Sequence, residues 1–145
     1  MKGWIRQLLE AAHNAHERGY ILGNLKPCNV ICDGENKLKI FYIETDETST
    51  VGMRAPLYSA PEQFERYSSK VDVFALGIRL IFAEISVRMN DTERREIFDD
   101  YRNGKSNSFL ADKPETAEFI KWLTTVDPDK RPSCRQALDS PFFTD

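Results

Sequence analysis

Apolar residues recur along this chain at helical spacing in some stretches and in short β-prone runs in others, and that alternation predicts an order of elements. Trp4, Ile5, Leu8, Leu9, Ala12 and Ala15 fall at helical spacing, and Gly19 supplies a left-handed stop beyond them, so Trp4 to His16 is expected to be a first helix. Two short runs follow, Val30 to Cys32 and Leu38 to Ile40, and the turn chemistry of Asp33, Gly34, Glu35 and Asn36 between them suits a hairpin. Thr45 to Thr50 is polar without periodicity and is expected to be a surface loop. Val71 to Ile85 is apolar almost all round and starts after Ser68 and Ser69, either of which can cap it; such a helix belongs in the middle of a helical domain. Three further helices are expected. Asn90 to Tyr101 has Asn90 and Glu93 at capping-box spacing, Thr116 to Val126 turns Phe119, Ile120, Trp122 and Leu123 inward, and Ser133 with Gln136 opens a short last helix that ends before Pro141. The sum is a mainly α fold with one small β-hairpin.

Composition narrows the class without naming a chemistry. With 145 residues, 41% of them hydrophobic, residues 1–145 suit a single domain with a core of its own. The net charge of −3 arises from 20 basic and 23 acidic residues mixed along the chain, so neither a nucleic acid nor a membrane is an expected partner. The apolar run from Ile78 to Ile85 is interrupted by Arg79 and Glu84, and the N-terminus lacks the apolar core of a secretory signal, so a cytoplasmic location is expected. Cys28, Cys32 and Cys134 suit reduced thiols. Cys28 and Cys32 have no second pair of ligands in view, so no metal site is expected.

Five motifs then fall in order. They are "LGNLKPCN" (Leu22 to Asn29), "KIFYIE" (Lys39 to Glu44), "APEQ" (Ala60 to Gln63), "DVFALG" (Asp72 to Gly77) and "DPDKRPS" (Asp127 to Ser133). Together with the element order, the chain resembles the C-terminal lobe of protein kinases, the motifs standing where that family has HRDLKPxN, KIxDFG, the end of the activation segment, the buried helix and the arginine before the last helix. Within the family, "YSAPEQF", "DVFALGIRLIFAEI" and "NDTERREIFDDYRNG" are most similar to the stress-activated kinases of the alpha subunit of translation initiation factor 2.

The resemblance implies losses and retentions. In a kinase the loop aspartate orients the substrate hydroxyl, and the loop asparagine with a second aspartate holds magnesium. Here the first acid aligns with Asn24, an amide that accepts no proton at neutral pH, and the second with Tyr42, a poor ligand for a hard cation. Lys26 and Asn29 remain from that set, and Phe41 and Tyr42 add aromatic bulk that packing does not readily explain. The glycine-rich loop and strand lysine of an N-lobe have no counterpart in this sequence, so no cofactor is expected, with ATP and magnesium entering only if an N-lobe complements the chain. By resemblance Asp72 anchors the catalytic loop, Glu62 and Arg131 join the activation segment to the last helices, and His16 is a structural histidine. Counting back from Glu62, the family's Gly-Thr pair becomes Arg54 and Ala55, in agreement with Asn24. Thr45 to Thr50 is the stretch phosphorylated in kinases, or simply a solvated loop. The helix with Thr92, Phe98, Asp99, Tyr101 and Arg102 resembles a docking helix for the initiation factor, or is simply a solvated amphipathic helix. Three functions are therefore expected to compete. One is an inactive kinase-like chain that binds protein, either a related kinase's N-lobe or the initiation factor alpha subunit. The others are a Ser/Thr kinase piece with residual phosphotransfer and a truncated product without a selected role.

Overall fold

The computed structural model describes residues 1–23, 25, 30–40, 58–85, 89–105 and 108–144. Asn24, Lys26, Cys28, Asn29, Phe41, Tyr42, Ile43, the stretch Thr45 to Thr50, Arg54 and Ala55 lie outside the described residues.

Helix α1 (Lys2–Glu17) buries Ile5, Leu8, Leu9 and Ala12 on one face, and the chain leaves it through Gly19 at φ +82. Strands β1 (Val30–Cys32) and β2 (Leu38–Ile40) pair antiparallel with Ile31 opposite Lys39. Their turn is built on Asp33, whose Oδ1 accepts from the backbone N–H groups of Glu35 and Lys37 at 2.9 Å each. Those two bonds, the one from Lys37 first, hold the Asp33 carboxyl below its ordinary range. Gln7 Oε1 accepts from the Leu38 N–H at 2.8 Å and ties the hairpin to α1.

Helix α2 (Lys70–Ile85) is the centre of the fold, buried over most of its surface as its composition requires, with Ala83 exposed near its end. Of the two serines that precede it, Ser68 makes the capping contact, its Oγ accepting from the Lys70 N–H at 3.3 Å. Helix α3 (Asp91–Arg102) starts with a complete capping box: Glu93 N–H to Asn90 Oδ1 at 2.9 Å and Asn90 N–H to Glu93 Oε2 at 3.0 Å. Helix α4 (Pro114–Leu123) crosses α2 closely at Gly77, where a Cβ would stand 2.6 Å from Thr124 Cγ2. Helix α5 (Cys134–Leu138), again with a capping box from Ser133 and Gln136, packs on α1, and a 3-10 turn over Pro141–Phe143 closes the chain against α4. Among the described residues no helix is long and apolar enough to cross a membrane.

Two expectations about α4 are corrected. It begins at Pro114 rather than Thr116, because proline suits the first helical position, and it stops at Leu123 rather than Val126. The stop has a cause: Thr124 and Thr125 turn their hydroxyls back onto the Ile120 and Trp122 carbonyls, while the Thr125 and Val126 carbonyls are taken by Arg131. Trp122 does not point inward. Phe119, Ile120 and Leu123 fill the buried face, and Trp122 falls beside it, 37% exposed.

Candidate functional site

The first turn of α2 places Asp72 under the loop that follows α1. Its side chain is 1% exposed, and its two oxygens are fully engaged: Oδ1 accepts from the Gly23 N–H at 2.7 Å, while Oδ2 accepts from the Leu22 N–H at 2.9 Å and lies 2.7 Å from His16 Nε2. A buried carboxylate persists only with such partners, and the N-terminal turn of a helix favours its charge. His16, in the last turn of α1, therefore serves to fix Asp72 rather than to face solvent.

The same loop is gripped from a second side. Gln63 Nε2 donates to the Gly23 carbonyl at 3.2 Å. Gly23 itself stands at φ +66, and a Cβ there would come 1.9 Å from the hydroxyl of Tyr67. Any side chain at this position would have to displace the Tyr67 hydroxyl. Leu25, the next described residue, is buried in the core. The loop is thus fixed at Leu22, Gly23 and Leu25, on both sides of position 24.

Arg131 joins this seat to the C-terminal helices. Its Nη1 and Nη2 meet Glu62 Oε1 and Oε2 at 2.6 and 3.0 Å. The remaining donors reach the carbonyls of Lys70 at 2.8 Å, Thr125 at 2.8 Å and Val126 at 3.2 Å, and the guanidinium lies 5.0 Å from the centre of the Phe74 ring. All five N–H groups of the arginine are used, which a lysine could not reproduce. Lys70 Nζ bonds in return to the Arg131 carbonyl, and burial first and the Arg131 charge second hold its ammonium below the ordinary lysine range. Cys134, at the start of α5, has its thiol pushed up to about 12 by burial and then by the Asp72 charge, so it is an inert core thiol.

Helix α3 divides the residues that the sequence groups together. Phe98 and Tyr101 are buried, Phe98 against Tyr58 and Tyr101 against Phe109, because the apolar side of the helix faces the core; they are not available as a contact surface. Arg102 is occupied by the Ser59 carbonyl and Asp99, both at 3.1 Å, and burial lowers its pKa. Thr92 and Asp99 are exposed, in a strip that also carries Asp91, Glu93, Arg95 and Glu96.

Gln63 and Tyr67 are contacts of this loop that sequence reasoning missed. The available signal was Gly23 itself, a glycine where the kinase motif has arginine, which points to a backbone approached closely by another group.

Comparison with known proteins agrees with this geometry. The model of the family described as protein kinase domain matches residues 1–143. The chain is similar to the eukaryotic translation initiation factor 2-alpha kinase pek-1 of Caenorhabditis elegans, 31% identical over 171 residues, an alignment covering 99% of this chain and 16% of the relative. It is also similar to the eIF-2-alpha kinase GCN2 of Schizosaccharomyces pombe, 33% identical over 165 residues, and to that of Homo sapiens, 30% identical over 173 residues; each alignment covers 93% of this chain and 10% of the relative. The chain therefore spans a small part of the length of the curated relatives it matches.

Proposed function

This chain belongs to the protein kinase domain family, and on that premise we propose that it is catalytically inactive and acts by binding protein, as a decoy or regulator of an initiation-factor kinase or its substrate. The observation that carries the reading is a division within one loop. The backbone at Leu22 and Gly23 is held on Asp72 as a working loop would need, yet the residue that follows is Asn24 in place of the acid. Tyr42 in place of the metal-binding aspartate adds an independent second loss. A frame kept without its acids serves as architecture for contact.

The relatives named above are initiation factor 2-alpha kinases, which supports the alpha subunit of that factor as the partner, met through the exposed strip of α3 with Thr92 and Asp99. A related kinase's N-lobe is the alternative partner. The protein works in this reading without ATP or magnesium, in the cytoplasm. The test is phosphorylation of the alpha subunit by an active family kinase in the presence of excess protein. Phosphorylation should fall, and the Thr92→Lys/Asp99→Lys variant should restore it if α3 makes the contact. Unchanged phosphorylation, with neither kinase nor substrate captured, overturns the proposal.

A second reading, residual Ser/Thr phosphotransfer on complementation by an N-lobe, draws on Lys26 and Asn29. A magnesium-nucleotide titration followed by thermal shift separates the two, since binding tighter than millimolar favours the enzyme. A product without a selected role is expected to lack a cooperative melting transition.

A further inference from the structure

The aromatic cluster at the end of the chain presents one kind of cation site twice, once filled and once open. Phe119 of α4 stacks on Phe142 with ring centres 4.1 Å apart and planes 4° from parallel, while Phe143 and Trp122 meet Phe119 edge-on. Lys2 Nζ lies 4.7 Å from the Phe142 ring centre and 3.2 Å from Glu115 Oε1, so its ammonium is shared between a ring face and a carboxylate. Arg6 stands over Phe143 in the same manner at 5.7 Å.

One turn along α4, Glu118 and Trp122 repeat the pairing of carboxylate and ring at i, i+4 spacing, which brings their side chains together on one helix face. Both are exposed, and among the described residues Glu118 makes no ion pair. Both line an open groove of about 390 Å³ together with Pro141 and the nearly buried Phe119 and Phe142. Indole gives the strongest ring face for a cation, and Glu118 supplies the counter-charge that Glu115 gives Lys2. Glu115 at the rim is already paired with Lys2, so the carboxylate that disfavours an acidic segment is Glu118.

We propose that this groove docks a lysine- or arginine-bearing apolar segment of a partner protein, its cation seated between Glu118 and the Trp122 ring as Lys2 is seated between Glu115 and Phe142. The surface is separate from the α3 strip and from the loop seat, none of whose residues line it.

The full chain carrying Trp4→Phe leaves Trp122 as its sole tryptophan and sole indole reporter. Titration with acetyl-Lys-Leu-Lys-Leu-amide should change its emission saturably, and the response should weaken in about 0.5 M salt. Acetyl-Glu-Leu-Glu-Leu-amide should give no saturable change. Adding Glu118→Gln should weaken the lysine peptide roughly 1.5- to 5-fold, the range an exposed ion pair spans; because Glu118 is exposed, the variant keeps the fold, checked by its melting curve. An equal response to both peptides means a non-specific apolar surface and overturns the proposal. So does the absence of saturation with the lysine peptide, or an affinity unmoved by Glu118→Gln.

Discussion

Two arginine–carboxylate forks join the same two segments of this protein. Arg131 meets Glu62 at 2.6 and 3.0 Å; one turn past Glu62, Arg66 meets Asp129 at 3.0 and 2.6 Å, two residues before Arg131. By distance the forks are equivalent. By surroundings they are not, since the side chains of Arg131 and Glu62 are 0% and 10% exposed while those of Arg66 and Asp129 are 59% and 66% exposed. Water can replace every bond of the outer fork, and salt screens it. Nothing replaces the inner one, whose arginine also holds three backbone carbonyls and so fixes the end of α4 relative to the start of α2. Distances alone do not rank ion pairs; what is left unpaired after a deletion does.

The largest expected effect breaks the inner fork. Arg131→Met leaves the nearly buried Glu62 carboxylate without its arginine and takes a donor from three carbonyls, and should cost about 3–5 kcal/mol of stability, read as a fall in urea midpoint and melting temperature. Glu62→Leu added to it should recover part of that loss, because the stranded charge is then gone. A loss no greater than that of Arg66→Ala would erase the distinction between the forks.

Next in size is the close approach at the loop. Gly23→Ala forces a side chain into a left-handed conformation and against the Tyr67 hydroxyl, at about 1–3 kcal/mol. Tyr67→Phe removes the hydroxyl, so Gly23→Ala in that background should cost less than it does alone. Strict additivity of the two changes in a double-mutant cycle would deny that Tyr67 presses on Gly23.

The contrast also marks how far the sequence was readable. Both capping boxes, the hairpin and the buried α2 were legible because each rests on residues a few positions apart. The resemblance to kinases brought Asp72, His16, Glu62 and Arg131 forward as a group, and the structure places them within hydrogen-bond distance in pairs. Tyr67 over Gly23 was not legible, since period and propensity carry no record of which distant residue closes on a glycine. Trp122 was misassigned for a related reason: an aromatic beside the buried stripe has the same composition as one on it, and only the packing of Phe119, Ile120 and Leu123 decides. Phe98 and Tyr101 sit in a stretch that reads as docking surface, but α3 needs them for its own burial.

A third, smaller effect uses Cys134 as an internal reporter. Its thiol is raised from an ordinary 9.0 to about 12, so the favourable contribution of the neutral form is complete below pH 9 and is lost as pH rises toward 12. At pH 8 native Cys134 should resist iodoacetamide while exposed Cys32 reacts, as site-resolved mass spectrometry can follow. Arg131→Met should speed labelling of Cys134 by about tenfold for each 1.4 kcal/mol of lost stability, and labelling that is fast in the native protein would contradict the burial.

The smallest effect belongs to the outer fork. Arg66→Ala removes a guanidinium whose pKa is raised by Asp129, and frees a carboxyl whose pKa that guanidinium lowers. Because the Asp129 pKa is depressed in the folded chain, whatever the pair contributes is present above pH 3.8 and disappears as pH falls through the folded value. At pH 7 Arg66→Ala should leave the melting temperature within the scatter of replicate scans, and added salt should reduce any residual difference between variant and parent. A loss that survives high salt and persists below pH 3 would mean that Arg66 works through packing of its stem rather than through charge, and the contrast between the forks would then be one of contact area instead of desolvation.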